Sequence, residues 1–213
     1  MRTILLATSN PGKLREIRAT MGDLAVQWIT LKDLPATLEP AAETGDTFAA
    51  NAIQKASYYS RAAGELAGSS PLWTLADDSG LEVDWLGGAP GVRSARYAGL
   101  DSDEVGREKA DAANNARLIR ELADVPESQR TARFRCALAL VDGDRVLAET
   151  SGVVEGRILL APRGQNGFGY DPLFFIDAMN CTTAELAEEQ KNAISHRGQA
   201  VRAMHPLLER ILL

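Results

Sequence analysis

The hydrophobic residues of this chain follow the spacing of β-strands in four main places. Residues 2–8 have an apolar centre, Ile4-Leu5-Leu6-Ala7, which is apolar enough for a central strand, and residues 26–31 predict a second strand. Residues 131–141 and 145–155 alternate between apolar and polar side chains, as strands with one buried face do. Asp142-Gly143-Asp144 separates these last two segments and predicts a β-hairpin.

Helical spacing and capping residues mark four further segments. A helix is predicted over residues 13–22, and a long one begins after Asp46 or Thr47, either of which suits the N-cap position. Residues 101–122 are amphipathic, and a terminal helix is predicted up to about residue 213. There is no internal repeat, low-complexity segment or clear linker, so the chain is interpreted as a single domain, 1–213.

The composition is that of an ordinary soluble globular protein, with 45% apolar and 24% charged residues. The apolar runs are too short for a transmembrane helix or a signal peptide, so we expect a cytoplasmic protein without membrane contact. The net charge is −6 and no basic stripe is evident, which argues against a nucleic-acid binder. The two cysteines are too few for a disulfide framework.

Four carboxylates within eight residues mark the main candidate site: Asp77, Asp78, Glu82 and Asp84. They follow the predicted strand 73–76, and Gly80 predicts a turn among them. Strand alternation would direct Asp78 and Asp77 to opposite faces if the backbone stayed extended. Carboxylates this close repel one another unless a cation or proton lies among them, and Mg²⁺ commonly takes one or two carboxylates. The alternative is a solvated acidic turn.

A second candidate lies where the first strand leads through Ser9-Asn10-Pro11-Gly12 into a helix. Such a loop directs backbone N–H groups at an anion. Thr8, Ser9 and Asn10 add polar donors, and Lys13 adds a positive charge. The spacing of a Walker A loop is absent, so the interpretations are a phosphate site or an ordinary βα turn.

A third candidate is the glycine-bearing loop of residues 162–172. Phe168 and Tyr170 offer aromatic faces for a nucleobase, and the glycines permit close backbone approach. The alternative is a connector whose aromatic side chains pack into the core.

Isolated polar residues elsewhere in the chain are weaker evidence of a functional site. Asn51 and Lys55 lie on one face of the second helix, and His196 and Arg197 are adjacent donors at a helix start. A helical lysine is usually a solvated charge, and an adjacent pair of donors is more often incidental than functional.

In combination these segments resemble a known family. Seven motifs occur in order: residues 8–13 (TSNPGK), 43–48 (ETGDTF), 51–56 (NAIQKA), 77–81 (DDSGL), 87–91 (GGAPG), 167–171 (GFGYD) and 195–198 (SHRG). On these residues the chain closely resembles the inosine/xanthosine triphosphate pyrophosphatases, the Ham1-like family of house-cleaning nucleotide hydrolases. Each motif alone is weak, but seven in register are highly specific, and the resemblance extends from residue 3 to about residue 203.

The resemblance implies an α/β fold with an elongated mixed β-sheet, flanking helices and two lobes around a central substrate cleft. It also implies a homodimer. The implied reaction is Mg²⁺-dependent hydrolysis of the purine nucleoside triphosphates ITP, dITP and XTP to the monophosphate and pyrophosphate.

The resemblance also implies a role for each matching residue. Asp78 would be the general base, with Asp77 beside it, and Lys13 and Lys55 would help to neutralise the phosphates. Mg²⁺ would bind Asp78 and Glu43, because the neighbouring Ala41 and Ala42 cannot bind a metal. The phosphates would contact Thr8, Ser9, Asn10, Pro11, Gly12 and Lys13. The rest of the substrate would contact Ser79, Phe168, Gly169, Tyr170, Asp171, Lys191, His196 and Arg197.

Selectivity for these purines has a physical basis. Their 6-oxo group accepts a hydrogen bond, whereas adenine carries an amino donor there, so donors from His196, Arg197 or the backbone would reject adenine. Two other function classes remain open. One is a phosphatase that uses Asp77 and Asp78 as an aspartyl nucleophile and releases orthophosphate. The other is a nucleotide sensor that binds without turnover.

Overall fold

The computed structural model describes residues 1–8, 10–22, 24–100 and 105–213. Its strands are β1 (Arg2–Leu6), β2 (Val26–Thr30), β3 (Trp73–Val83), β4 (Thr131–Asp142), β5 (Arg145–Ile158), β6 (Phe174–Ile176) and β7 (Cys181–Thr182). Its α-helices are α1 (Pro11–Met21), α2 (Phe48–Leu66), α3 (Arg107–Glu121), α4 (Glu188–Ile194) and α5 (His196–Leu212).

The strands form one mixed sheet of seven strands in the order β2-β1-β3-β4-β5-β6-β7. β1 pairs in parallel with both β2 and β3, whereas β6 pairs antiparallel with both β5 and β7. The expected α/β fold with a mixed sheet and flanking helices is thereby confirmed.

The described chain divides into two compact units, each with its own hydrophobic core. The first unit comprises Met1–Asp78, Cys136–Gly152 and His196–Leu213, and its core is formed by side chains of β1, α1, β2, β3, β4 and α5. The second comprises Ser79–Arg135 and Val153–Ser195, and its core is formed mainly by side chains of β3, α3, β4, β5 and β6.

The structure confirms a predicted hairpin and a predicted N-cap, and it describes one predicted helix over a shorter range. The hairpin between β4 and β5 is confirmed, and Thr47 is the N-cap of α2, where its Oγ1 accepts a hydrogen bond from the amide of Ala50 at 3.1 Å. The helix predicted over 101–122 is observed as α3, Arg107–Glu121; residues 101–104 of that prediction lie outside the described residues. No described helix has the length and apolar character needed to cross a membrane.

The acidic segment is part of a strand, and the turn predicted at Gly80 is wrong. β3 runs without interruption from Trp73 to Val83. A Cβ atom at Gly80 would lie 2.7 Å from the carbonyl oxygen of Gly91 and would also clash with Ser94. The glycine is therefore needed for close packing against residues 91–94 and not for a change of chain direction.

Candidate active site

Asp78 lies in β3 and belongs to the first unit. Its side chain is largely buried, with 8% of its surface exposed, and its Oδ2 accepts a hydrogen bond from Nδ2 of Asn51 at 3.0 Å. Burial raises the pKa of Asp78 to about 6; the hydrogen bond from Asn51 opposes this rise, and the negative charge of Glu43 adds to it. The positive charges of Lys13 and Lys55 also act on Asp78 and oppose the rise in its pKa.

Asn51 of α2 links Asp78 to the loop that carries Glu43. Only 1% of Asn51 is exposed, and its Oδ1 accepts a hydrogen bond from the backbone amide of Gly45 at 2.7 Å. A Cβ atom at position 45 would lie 2.8 Å from that Oδ1, so the close approach requires glycine. The sequence pattern places Asn51 on the same helix face as Lys55 but gives Asn51 no role. Because the side chain of Asn51 is fully buried, both of its polar atoms need hydrogen-bond partners.

Lys55 lies one helical turn after Asn51 and pairs with Glu43. Its Nζ is 2.8 Å from Oε1 of Glu43, and both side chains are partly exposed. Burial disfavours the ammonium ion, but the negative charges of Asp77 and Glu43 outweigh it, so the pKa of Lys55 is raised above its ordinary value. Lys55 is therefore a cation within the site and not the solvated helical lysine that was the alternative.

Asp77 points to a different set of partners, as strand alternation predicts. It is fully buried, and its Oδ2 lies 2.8 Å from Nζ of Lys13 and 3.2 Å from Nε of Arg197. Burial alone would raise its pKa, but Lys13, Arg197 and Lys55 outweigh burial and hold the pKa of Asp77 well below its ordinary range. Its Oδ1 is buried and has no hydrogen-bond partner among the described residues.

Arg197 extends this contact into a chain of four charges, of which all but Lys13 are buried. Its Nη1 lies 2.6 Å from Oε2 of Glu16, so the order of charges is Glu16, Arg197, Asp77 and Lys13. Only 2% of Arg197 is exposed. Its guanidinium group is held between these two carboxylates, and its contact with the purine stays a prediction. His196, beside it at the start of α5, is also buried.

The loop between β1 and α1 is held by its own side chains. Thr8 Oγ1 accepts a hydrogen bond from the amide of Asn10 at 3.2 Å, and Asn10 Oδ1 accepts one from the amide of Gly12 at 2.9 Å and so caps α1. Pro11 occupies the first turn of the helix, where a missing N–H costs nothing. Ser9 lies outside the described residues.

The oxygen donors of the first unit suit a hard cation. The described residues contain no group of three or more His, Cys, Asp or Glu side chains that could hold a metal ion. Mg²⁺ needs fewer, because it usually takes one or two carboxylates and completes its shell with water and phosphate. Glu43 and Asp78 supply two carboxylates that repel each other, and the orphaned Oδ1 of Asp77 is a buried acceptor that a bound cation or its water would satisfy.

A second cluster lies in the second unit, around Asp171. This buried carboxylate accepts three hydrogen bonds: from the amide of Phe168 at 2.8 Å, from Oγ1 of Thr183 at 2.8 Å and from Nζ of Lys191 at 2.5 Å. Both carboxylate oxygens of Asp171 accept hydrogen bonds, so this side chain fixes the conformation of the loop to which it belongs. The ammonium group of Lys191 also lies 4.8 Å from the centre of the Phe168 ring.

The two aromatic residues of this loop have different environments. Tyr170 is 5% exposed, packs in the core of the second unit and donates a hydrogen bond from its hydroxyl group to the carbonyl oxygen of Ser94 at 2.8 Å. Burial raises the pKa of Tyr170 well above its ordinary value, so the hydroxyl stays protonated. Phe168 is partly exposed. The structure therefore assigns Tyr170 to the core, and Phe168 remains the candidate face for a nucleobase.

The structure thus distributes the predicted site residues over the two units. The first unit holds Thr8, Asn10, Pro11, Gly12, Lys13, Glu43, Lys55, Asp77, Asp78, His196 and Arg197, and the second holds Ser79, Phe168, Gly169, Tyr170, Asp171 and Lys191. Ser79 is half-buried and follows Asp78 directly in β3. Glu16, Asn51 and Thr183 are partners that the sequence pattern does not reveal, because each is paired with a residue distant in the chain.

Comparison with known proteins finds similarity over almost the whole chain. Residues 4–207 match the sequence model described as the Ham1 family. A dITP/XTP pyrophosphatase from Geobacillus kaustophilus is 47% identical over 212 residues, which are 100% of this chain and 97% of that protein.

Solved structures agree with this result. A HAM1 protein from Coxiella burnetii is 39% identical and superposes with a TM-score of 0.83, covering 99% of this chain and 100% of the other. A nucleoside-triphosphatase, dITP/XTP pyrophosphatase, from Mycobacterium abscessus is 42% identical with a TM-score of 0.71, covering 97% and 99%.

Proposed function

Since the chain belongs to the Ham1 family, we propose that it is a nucleoside-triphosphate pyrophosphatase that acts on non-canonical purine nucleotides. Its substrates are dITP, XTP and ITP, and its products are the nucleoside monophosphate and pyrophosphate. The observation that carries the proposal is the first cluster: a buried Asp78 held by Asn51, beside the Lys55–Glu43 and Lys13–Asp77 ion pairs. This arrangement combines a fixed carboxylate with two cations for phosphate.

In this reaction a water molecule attacks the α-phosphorus, and the bond to the oxygen that bridges the α- and β-phosphorus breaks. The carboxylate of Asp78 accepts a proton from the water, and Asn51 fixes the orientation of that carboxylate by its hydrogen bond. The bridging oxygen leaves with pyrophosphate, and the ammonium groups of Lys13 and Lys55 offset the negative charge that develops on it. Glu43 and Asp78 would hold Mg²⁺, which supplies further positive charge to the phosphate oxygens.

Asp77 positions another residue, Lys13, in this mechanism. It is fully buried and its Oδ2 is bound by Lys13 and Arg197, so it holds the ammonium group of Lys13 beside the phosphate loop. The same burial argues against Asp77 as the nucleophile of the phosphatase alternative, so a phosphatase would have to use Asp78. Thr8, Ser9, Asn10, Pro11 and Gly12 complete the phosphate loop.

The second cluster would bind the purine. Phe168 offers the stacking face, and the ammonium group of Lys191, fixed by Asp171, donates a hydrogen bond to the 6-oxo group. With ATP this donor would meet the 6-amino group and lose its partner, which explains a preference for inosine and xanthosine. Ser79, His196 and Arg197 remain predicted substrate contacts, and a homodimer in the cytoplasm is the expected form of the enzyme.

The decisive experiment is ³¹P NMR of ITP and of ATP, each incubated with the protein and Mg²⁺ in H₂¹⁸O. Pyrophosphate from ITP, with the label in the monophosphate and little reaction of ATP, supports the proposal. Orthophosphate would show a phosphatase, and label in the pyrophosphate would show attack at the β-phosphorus. Binding of ITP without hydrolysis would support the alternative that the protein is a nucleotide sensor. Asp78→Asn should abolish turnover while ITP still binds.

A further inference from the structure

Helix α3 of the second unit contacts the backbone of the loop that carries Phe168. Asp111 Oδ2 accepts a hydrogen bond from the amide of Gly169 at 2.8 Å, and Asn115 Nδ2 donates one to the carbonyl oxygen of the same Gly169 at 2.9 Å. Asp111 and Asn115 are four residues apart and therefore share one face of the helix. The two side chains thus satisfy both polar groups of a single residue in the loop.

Gly169 has a backbone conformation that residues other than glycine rarely adopt. Its φ is +63°, in the left-handed region that favours glycine. The neighbouring residues are fixed by other means: Asp171 accepts from the amide of Phe168, and Tyr170 is anchored to Ser94. Gly169 has no side chain of its own, so Asp111 and Asn115 supply the side-chain contacts that fix its backbone.

We propose that Asp111 and Asn115 are positioning residues for purine recognition, because they hold the Phe168–Gly169 segment in the conformation that presents the Phe168 ring to the base. This inference rests on the proposed function and adds residues that none of the sequence motifs includes. Because the loop is fixed in advance, binding of the base does not have to order it. Both residues contact the loop of the second unit and neither belongs to the cluster proposed for the phosphates, so we expect both to act on binding of the base and not on the chemical step.

The structure supplies a matched set of variants. Asp111→Ala removes the acceptor for the Gly169 amide, whereas Asp111→Asn keeps an acceptor oxygen and loses only the charge. Asn115→Asp keeps the size of the side chain and replaces the donor by a second acceptor opposite a carbonyl oxygen. Lys109→Ala, an exposed change on the same helix, is the control.

We expect Asp111→Ala and Asn115→Asp each to raise KM for ITP about fivefold to tenfold, with kcat changed less than about twofold. Asp111→Asn and the Lys109→Ala control should stay close to the unmodified enzyme. Loss of folded protein would have a different effect, because it lowers the apparent kcat at unchanged KM. An unchanged KM in both Asp111→Ala and Asn115→Asp would overturn the proposal. A rise in KM for Asp111→Asn equal to that for Asp111→Ala would also overturn it.

An experiment without turnover tests the same contacts. Amide hydrogen exchange at Gly169, followed by NMR in the absence of nucleotide, should be slow in the unmodified protein and in Asp111→Asn, and faster in Asp111→Ala. Fast exchange in the unmodified protein would overturn the proposal even if a variant fails to fold. Failure of the proposed function is distinguishable, since it would appear as no hydrolysis of any purine triphosphate by the unmodified protein.

Discussion

Asn51 holds the carboxylate of Asp78 by a hydrogen bond of 3.0 Å from its Nδ2 to Oδ2, and it is itself held by the amide of Gly45. The amide group of Asn51 therefore sets the orientation of the proposed general base from one side while it anchors the Glu43 loop from the other. The Glu43 loop, α2 and β3 therefore meet at this one side chain.

We expect Asn51→Ala to lower kcat for ITP by about tenfold to a hundredfold, because a hydrogen bond to a charged group contributes about 1.5–3 kcal/mol. KM should change less, since Asn51 contacts no part of the substrate in the proposed mechanism. Gln54→Ala is the matched control: Gln54 is an amide on the same helix whose contacts are with Thr44 and not with Asp78. Equal losses of kcat in the two variants would contradict the role of Asn51.

The buried Asp77 should be important for stability. Asp77→Asn leaves Lys13 and Arg197 without their shared carboxylate, and breaking a buried pair in this way costs about 3–5 kcal/mol of the free energy of unfolding. Urea unfolding measures the loss. Arg61→Ala, which breaks an exposed pair with Asp144, should cost no more than about 1 kcal/mol.

The stability difference between Asp77→Asn and the unmodified protein should also depend on pH. The pKa of Asp77 is lowered on folding, so its contribution is complete above the pKa of the unfolded chain, about 4, and is lost as the pH falls further. The two proteins should therefore approach each other in stability in acid. A difference that stays constant down to strongly acidic pH would show that Asp77 does not act as an anion.

Lys191 should govern discrimination between purines. We expect Lys191→Gln to lower the ratio of kcat/KM for ITP to that for ATP by about tenfold or more, because the donor to the 6-oxo group is weakened. The ratio is measured on one preparation, so it is insensitive to any loss of folded protein when Asp171 loses its partner. Lys32→Gln, an exposed lysine of the first unit, should leave the ratio unchanged.

Removal of divalent metal should abolish hydrolysis, and Glu43→Gln should weaken Mg²⁺ binding by about tenfold or more. The direct measurement is a calorimetric titration of the nucleotide-free protein with Mg²⁺, which does not depend on turnover. Glu39→Gln, an exposed change in the preceding segment, is the control. Identical Mg²⁺ affinities in the two variants would remove Glu43 from the proposed metal site.

Some of these relationships follow from the sequence and others cannot. The alternation of a strand predicts that Asp77 and Asp78 face opposite ways, and helical spacing predicts that Asn51 and Lys55 share a face. The contact of Gly80 with residues 91–94 is not visible in the sequence, since a glycine there equally indicates a turn. The partnership of Arg197 with Glu16 depends on tertiary packing, which local patterns do not encode.

The chain of charges also has a consequence for how the enzyme is made. Arg197 lies in α5, 181 residues after Glu16 and 120 after Asp77. During translation both carboxylates emerge long before their shared cation, and contacts of such long range form late in folding. The proposed phosphate-binding region therefore acquires its balance of charge only after α5 has been synthesised and packed. Catalytic competence should consequently be a late event in biosynthesis, even though most of the proposed catalytic groups belong to the first half of the chain.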